Sequence, residues 1–87
     1  MRGGTRIDNI ADLQPGDILC WSADSSTADP TRCTHVGIYV GAGTVDGKEY
    51  KTGVFIESSR GAGKVRYWAF QKATYYTKRF MNAWRMF

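Results

Sequence analysis

The sequence predicts an α+β fold, mainly an antiparallel β meander or a small half-open barrel of about five strands. Three observations carry this. Apolar, β-branched and aromatic residues recur in runs of strand length at residues 18–21, 34–41, 54–57 and 65–70. Between them stand turn formers: Pro15-Gly16, Asp46-Gly47 and Arg60-Gly61-Ala62-Gly63. Only residues 70–74 read as a turn of helix. With 87 residues the chain makes one small unit, able to bury about 60 to 65% of its unfolded surface, and 43% apolar residues suffice for a folded core.

Residues 1–11 read as a lead-in and residues 12–87 as a single β core. In Asp12-Leu13-Gln14-Pro15-Gly16-Asp17, proline and glycine suit the two central positions of a type II turn. The strand Ile18-Leu19-Cys20-Trp21 follows, and residues 22–30 form a polar surface loop. In the second strand a period of two sends Val36, Ile38 and Val40 to one face and His35, Gly37 and Tyr39 to the other. The aliphatic face is the expected core face. A histidine beside a glycine on the opposite face would leave space for a backbone or ligand to approach the imidazole. The polar stretch 44–52, with Asp46-Gly47 inside it, reads as an inserted loop. Residues 78–87 read as a closing strand with Phe80, Trp84 and Met86 on one face, whereas helical spacing would group Phe80, Met81, Trp84 and Phe87.

The net charge of +4 is unevenly placed. Up to Ser59 there are five basic and eight acidic residues; beyond it there are seven basic residues and no acid. One end of the chain thus presents a cationic field suited to an anionic polymer, or to solvent alone. No window holds the roughly 18 apolar residues of a membrane span, and the first residues have no apolar stretch to act as a secretory signal. Cys20, Cys33 and His35 lack the short paired spacing of a zinc site, so neither a metal nor any other cofactor is expected. A basic tail with aromatics but without a recognisable motif gives no case for nucleic acid.

Leu13-Gln14-Pro15-Gly16-Asp17-Ile18-Leu19, followed by His35-Val36-Gly37-Ile38-Tyr39-Val40-Gly41, resembles the second half of the NlpC family of cell-wall cysteine peptidases, which have a papain-like fold. The run from Tyr75 to Phe80 and Ala83-Trp84-Arg85 is similar to the closing strand of these domains, so the resemblance covers the chain from about Asp12. It implies the β half of such a domain, with His35 as general base, Glu57 as the residue that orients it, and Tyr39, Gly37 and Trp21 near the substrate. The family more usually has histidine, asparagine or glutamine at the orienting position, and a glutamate pointing to solvent is the competing reading of Glu57. The implied partner is a peptidoglycan peptide or another anionic wall polymer, and the implied place of work is outside the cell or in the wall if the protein is exported.

Family members carry their nucleophile on a helix that precedes the histidine, and this sequence has no such segment. Met1 therefore reads as an internal methionine or a displaced start, with a cysteine-bearing N-terminal half, or a partner chain, expected to complete the site. Cys33 lies two positions before His35, where neighbouring side chains run parallel, and Cys20 lies in an apolar strand, where burial raises a thiol's pKa. Neither suits the role. A circularly permuted relative would need a cysteine after His35, and there is none. The reading from another class is a non-catalytic basic β module that holds wall polymer or peptide through Trp68, Tyr67, Tyr39 and the arginines.

Overall fold

The computed structural model describes residues 4–22, 33–59, 63–72 and 74–87. The expected surface loop after Ser22 and most of the glycine-rich turn at 60–63 lie outside the described residues. In chain order the elements are β1 (Thr5–Ile7), β2 (Ile18–Trp21), β3 (His35–Val45), β4 (Lys48–Ser59), β5 (Lys64–Ala69), α1 (Thr74–Arg79) and β6 (Phe80–Arg85). Short 3-10 turns occupy Ile10–Asp12 and Phe70–Lys72. The strands form one six-stranded antiparallel sheet in the order β1-β6-β2-β3-β4-β5.

This corrects the expected α+β half-open barrel of five strands. The fold is mainly β, and the sheet is open, with β1 and β5 as its two edges. Strands β2 to β5 do run as a meander, but β6 returns to lie between β1 and β2. The lead-in contributes strand β1, whose residues Thr5, Arg6 and Ile7 pair with Arg85, Trp84 and Ala83.

The turn chemistry explains the joints. Asp17 N–H donates to the Gln14 carbonyl at 3.0 Å, and Gly16 takes a φ of 98°, open to glycine and costly for other residues. At the far end of the sheet, Asp46 (φ 50°) and Gly47 (φ 80°) form the left-handed pair of a tight hairpin turn. The expected inserted loop at 44–52 is therefore absent: β3 and β4 continue through it as one long hairpin, with Val45 opposite Lys48. Residues 46–49 are exposed, while Val45 is buried with Val54 and Ala69 in a second, smaller cluster. Lys72 Nζ meets the Asp46 carboxylate at 3.1 Å and ties the tip back to the 3-10 turn.

The core lies on the His35 face of the sheet, not on the aliphatic face of β3 that was expected to form it. Gly37 and Tyr39 are buried, whereas Val36 and Ile38 are about half exposed. The reason is aromatic bulk. Trp21, Phe55, Phe70, Tyr76 and Phe80 pack on the His35 side, with ring centroids of Trp21 at 4.9 Å from Phe55 and 5.5 Å from Tyr76. Burying several rings of this size outweighs burying three aliphatic side chains.

The closing strand also departs from expectation. Opposite β2 the register slips between Cys20 and Trp21, so that Trp21 pairs with Phe80 while Cys20 pairs with Asn82. The extra residue in β6 reverses the alternation. Phe80 packs against the core, whereas Trp84, four residues on, stands on the opposite face with Ile18. The turn of helix expected at 70–74 is the 3-10 turn Phe70–Lys72, and α1 follows it.

Candidate functional site

His35 opens β3 beside Trp21, its cross-strand partner, with ring centroids 5.4 Å apart. One strand over, Glu57 pairs with Gly37 and directs its side chain to the same face. The imidazole Nε2 and the Glu57 Oε1 lie 2.7 Å apart. Glu57 is only 1% exposed, which rules out the reading of it as a solvent-facing strand-end glutamate.

A buried carboxylate needs donors, and three converge on this one. Besides His35, Arg66 Nε on β5 donates to Oε2 at 2.9 Å, and the Tyr76 hydroxyl on α1 donates to the same oxygen at 2.6 Å. Arg66 Nη2 also donates to the Tyr76 hydroxyl at 3.3 Å. Tyr76 is held in turn through its backbone carbonyl, which accepts from Trp21 Nε1 at 2.8 Å. Burial pushes the Glu57 carboxyl up, but the hydrogen bonds from Tyr76, His35 and Arg66, with the Arg66 charge, outweigh it and hold the group below its ordinary value. Burial and the neighbouring carboxylate push the Tyr76 phenol up, so it remains a donor. Burial disfavours the Arg66 cation, yet the hydrogen bonds to Glu57 and Tyr76 leave its pKa raised.

An ionised Glu57 is an acceptor only, so Nε2 must carry the proton it receives. In the neutral ring the lone pair then resides on Nδ1. One nitrogen of the ring is held from behind by Glu57, and 28% of the His35 side chain is exposed. Sequence reasoning had placed His35 and Glu57 but missed Arg66 and Tyr76. The charge of Arg66 between Val65 and the aromatic pair Tyr67-Trp68 was the available signal for the first; Tyr76 had none.

The three expected substrate-side residues are part of the packing. Trp21 is 1% exposed at the centre of the aromatic cluster. The space above Gly37 is already taken: a Cβ there would stand 2.7 Å from the Ile56 carbonyl oxygen and 3.1 Å from the Trp21 ring. The glycine admits tryptophan rather than a ligand. Tyr39 is buried, its hydroxyl 2.8 Å from Thr52 Oγ1 and accepting from Gly53 N–H at 2.9 Å, so it staples the β3–β4 hairpin.

Neither cysteine meets the imidazole. Cys20 pairs with Val36 on the face opposite His35. Burial above all, with a hydrogen bond to Cys33, pushes its thiol up to about 12. Cys33 Sγ lies 3.6 Å from the backbone oxygen of His35 and leaves the ring alone. The aromatics of the binding-module reading are likewise dispersed: Tyr39 is buried, Trp68 lies under Arg66 at 3.9 Å and Lys72 at 4.7 Å, and Tyr67 is exposed. Among the described residues, no three His, Cys, Asp or Glu side chains gather as a metal ion would require, and no helix is long and apolar enough to cross a membrane. Compared with known proteins, the chain matches no family model, no curated protein and no solved structure.

Proposed function

We propose that this chain is the base-bearing part of a cysteine hydrolase acting on cell-wall peptide bonds, with the reactive thiol contributed from outside these residues. The observation that carries the reading is the 2.7 Å contact between His35 Nε2 and a Glu57 carboxylate that is buried and engaged at both oxygens. A structural histidine would be served by any acceptor. A buried anion held ionised by two further donors does more: it selects one tautomer and balances an imidazolium when the ring takes up a proton.

In this mechanism a thiol brought to the outer nitrogen gives its proton to Nδ1, and the thiolate adds to the peptide carbonyl carbon. The C–N bond breaks as the imidazolium returns that proton to the leaving amine. Water, deprotonated by the same nitrogen, then splits the thioester and frees the thiol. Glu57 stays ionised throughout. The acid-free stretch after Ser59 supports an anionic wall polymer as the partner, through long-range attraction. A non-catalytic binding module draws less support, because its aromatics stand in three separate environments instead of one platform.

The test uses the chain with Cys20→Ser and Cys33→Ser, an activated ester and an added small thiol in place of the absent nucleophile. Thiol-dependent cleavage should exceed the protein-free rate, vanish in His35→Ala and weaken in Glu57→Gln. Equal rates for the parent and His35→Ala would sink the reading.

A further inference from the structure

The face of the sheet opposite His35 carries a row of apolar side chains in register across five strands. Trp84 of β6 pairs with Ile18 of β2, Ile18 with Ile38 of β3, Ile38 with Ile56 of β4, and Ile56 with Tyr67 of β5. Val36 and Val65 flank the row on the same face. Trp84, Ile18, Ile38, Tyr67, Val36 and Val65 are between 38% and 68% exposed. None of these seven is charged, in a chain with 20 charged side chains; the first charge along the row is Arg6 of edge strand β1, opposite Trp84 and paired with Asp8.

A face of this kind stands at the limit for a lone subunit. Taking about 150 to 250 Å² for a large aromatic and less for an aliphatic side chain, the exposed parts of these residues amount to roughly 600 Å², the upper end of what monomers leave open. Two such faces together would cover roughly 1,200 Å², where stable interfaces begin.

The order of the row says what fits it. Between Trp84 and Tyr67 it is aromatic, Ile, Ile, Ile, aromatic, with Ile38 at the centre and Arg6 lying beyond Trp84 at one edge. A two-fold interface requires a patch complementary to itself. An axis through Ile38, lying between the sheets along the strands, sets Ile38 against Ile38 of a second copy, Ile18 against its Ile56 and Trp84 against its Tyr67. The absence of charge means that no like charges meet at the centre of the contact. We infer that this face is a homodimer interface, two sheets packed face to face about Ile38, with His35 left accessible on the outer side of each copy.

Sedimentation velocity through the micromolar range tests it, with circular dichroism to verify folding. Ile38 is half exposed, so Ile38→Glu and Ile38→Lys should both keep the fold. The wild type should pass from monomer to dimer as concentration rises. Each variant alone should dimerise more than about tenfold more weakly, because like charges would meet at the axis. An equal mixture of the two should recover the dimer through opposite charges. A wild type that stays monomeric, with the face open to an apolar dye, overturns the proposal and leaves the face to a different partner chain. A dimer that either variant retains, or that the mixture fails to restore, overturns it as well.

Discussion

Asp17 and Arg85, 68 positions apart in sequence, meet through two hydrogen bonds of 2.9 Å, from Arg85 Nε to one carboxylate oxygen and from Nη2 to the other. Asp17 is fully buried, its carboxylate accepts a third bond from Gln14 N–H at 2.8 Å, and its carbonyl accepts from Tyr39 N–H of β3 at 2.9 Å. The pair fastens the Pro-Gly-Asp turn to the last strand. Arg85→Leu would strand a buried carboxylate, so a melting temperature lower by several degrees is expected. Arg6 and Asp8, also an ion pair at 2.7 Å but largely exposed, provide the control: Arg6→Leu should hardly move it.

Acid should destabilise the protein through two groups. The Arg85 hydrogen bond holds Asp17 below its ordinary 3.8 against the cost of burial, and Glu57 is held below its ordinary 4.5 by the donors around it. In both cases the folded pKa is the lower one, so in acid the unfolded chain binds more protons than the folded one. The stability they contribute is complete above the ordinary carboxylate range and is lost as pH falls through the folded values. Melting temperature against pH should therefore drop steeply below about pH 4.5, and the drop should be shallower in Glu57→Gln.

Tyr76→Phe removes the shortest donor to Glu57 while keeping the ring in the cluster. A hydrogen bond to a charged group contributes about 1.5 to 3 kcal/mol, and a loss at the lower end is expected by denaturant unfolding, since Arg66 still reaches the same oxygen. The neutral His35 ring should remain protonated on Nε2 in this variant, as read by its nitrogen chemical shifts. Glu57→Leu should abolish that preference.

Gly37→Ala should cost about 1 to 3 kcal/mol, the usual range for overpacking. The added methyl would press on the Ile56 carbonyl, which is backbone and cannot swing away, and on Trp21. A changed tryptophan emission together with the stability loss would place the strain at Trp21. An unchanged stability would show that the sheet can give at this point.

Alkylation should separate the folded from the unfolded thiol at Cys20. With its pKa pushed up to about 12, it offers only a very small thiolate fraction near neutral pH. Mass spectrometry after iodoacetamide treatment should find Cys20 almost unmodified in the native protein and readily modified in denaturant.

Some of this could be read in advance from local chemistry. Pro15-Gly16 and Asp46-Gly47 specify their turns because the backbone angles they need are available to those residues and few others. Ile18–Trp21 became β2 as expected, whereas Glu57 beside His35 was implied only by the family resemblance, with a solvent-facing glutamate as the competing reading. Strand β1 was missed, since Thr5–Ile7 is too short to show a period and exists only through pairing with β6.

By itself the sequence determined where most strands lie and how the chain turns between them. Only the tertiary structure decided which side of the sheet is inside. Alternation along β3 separates Val36 and Ile38 from His35, Gly37 and Tyr39 but assigns neither set to the core. That choice depends on what the rest of the chain can pack there, and Trp21, Phe55, Phe70 and Tyr76 fill the His35 side. The same packing brought Arg66 and Tyr76 to Glu57 and left the isoleucine row open. The physical reason is that local preferences act over a few residues, whereas burial is settled among side chains far apart in sequence.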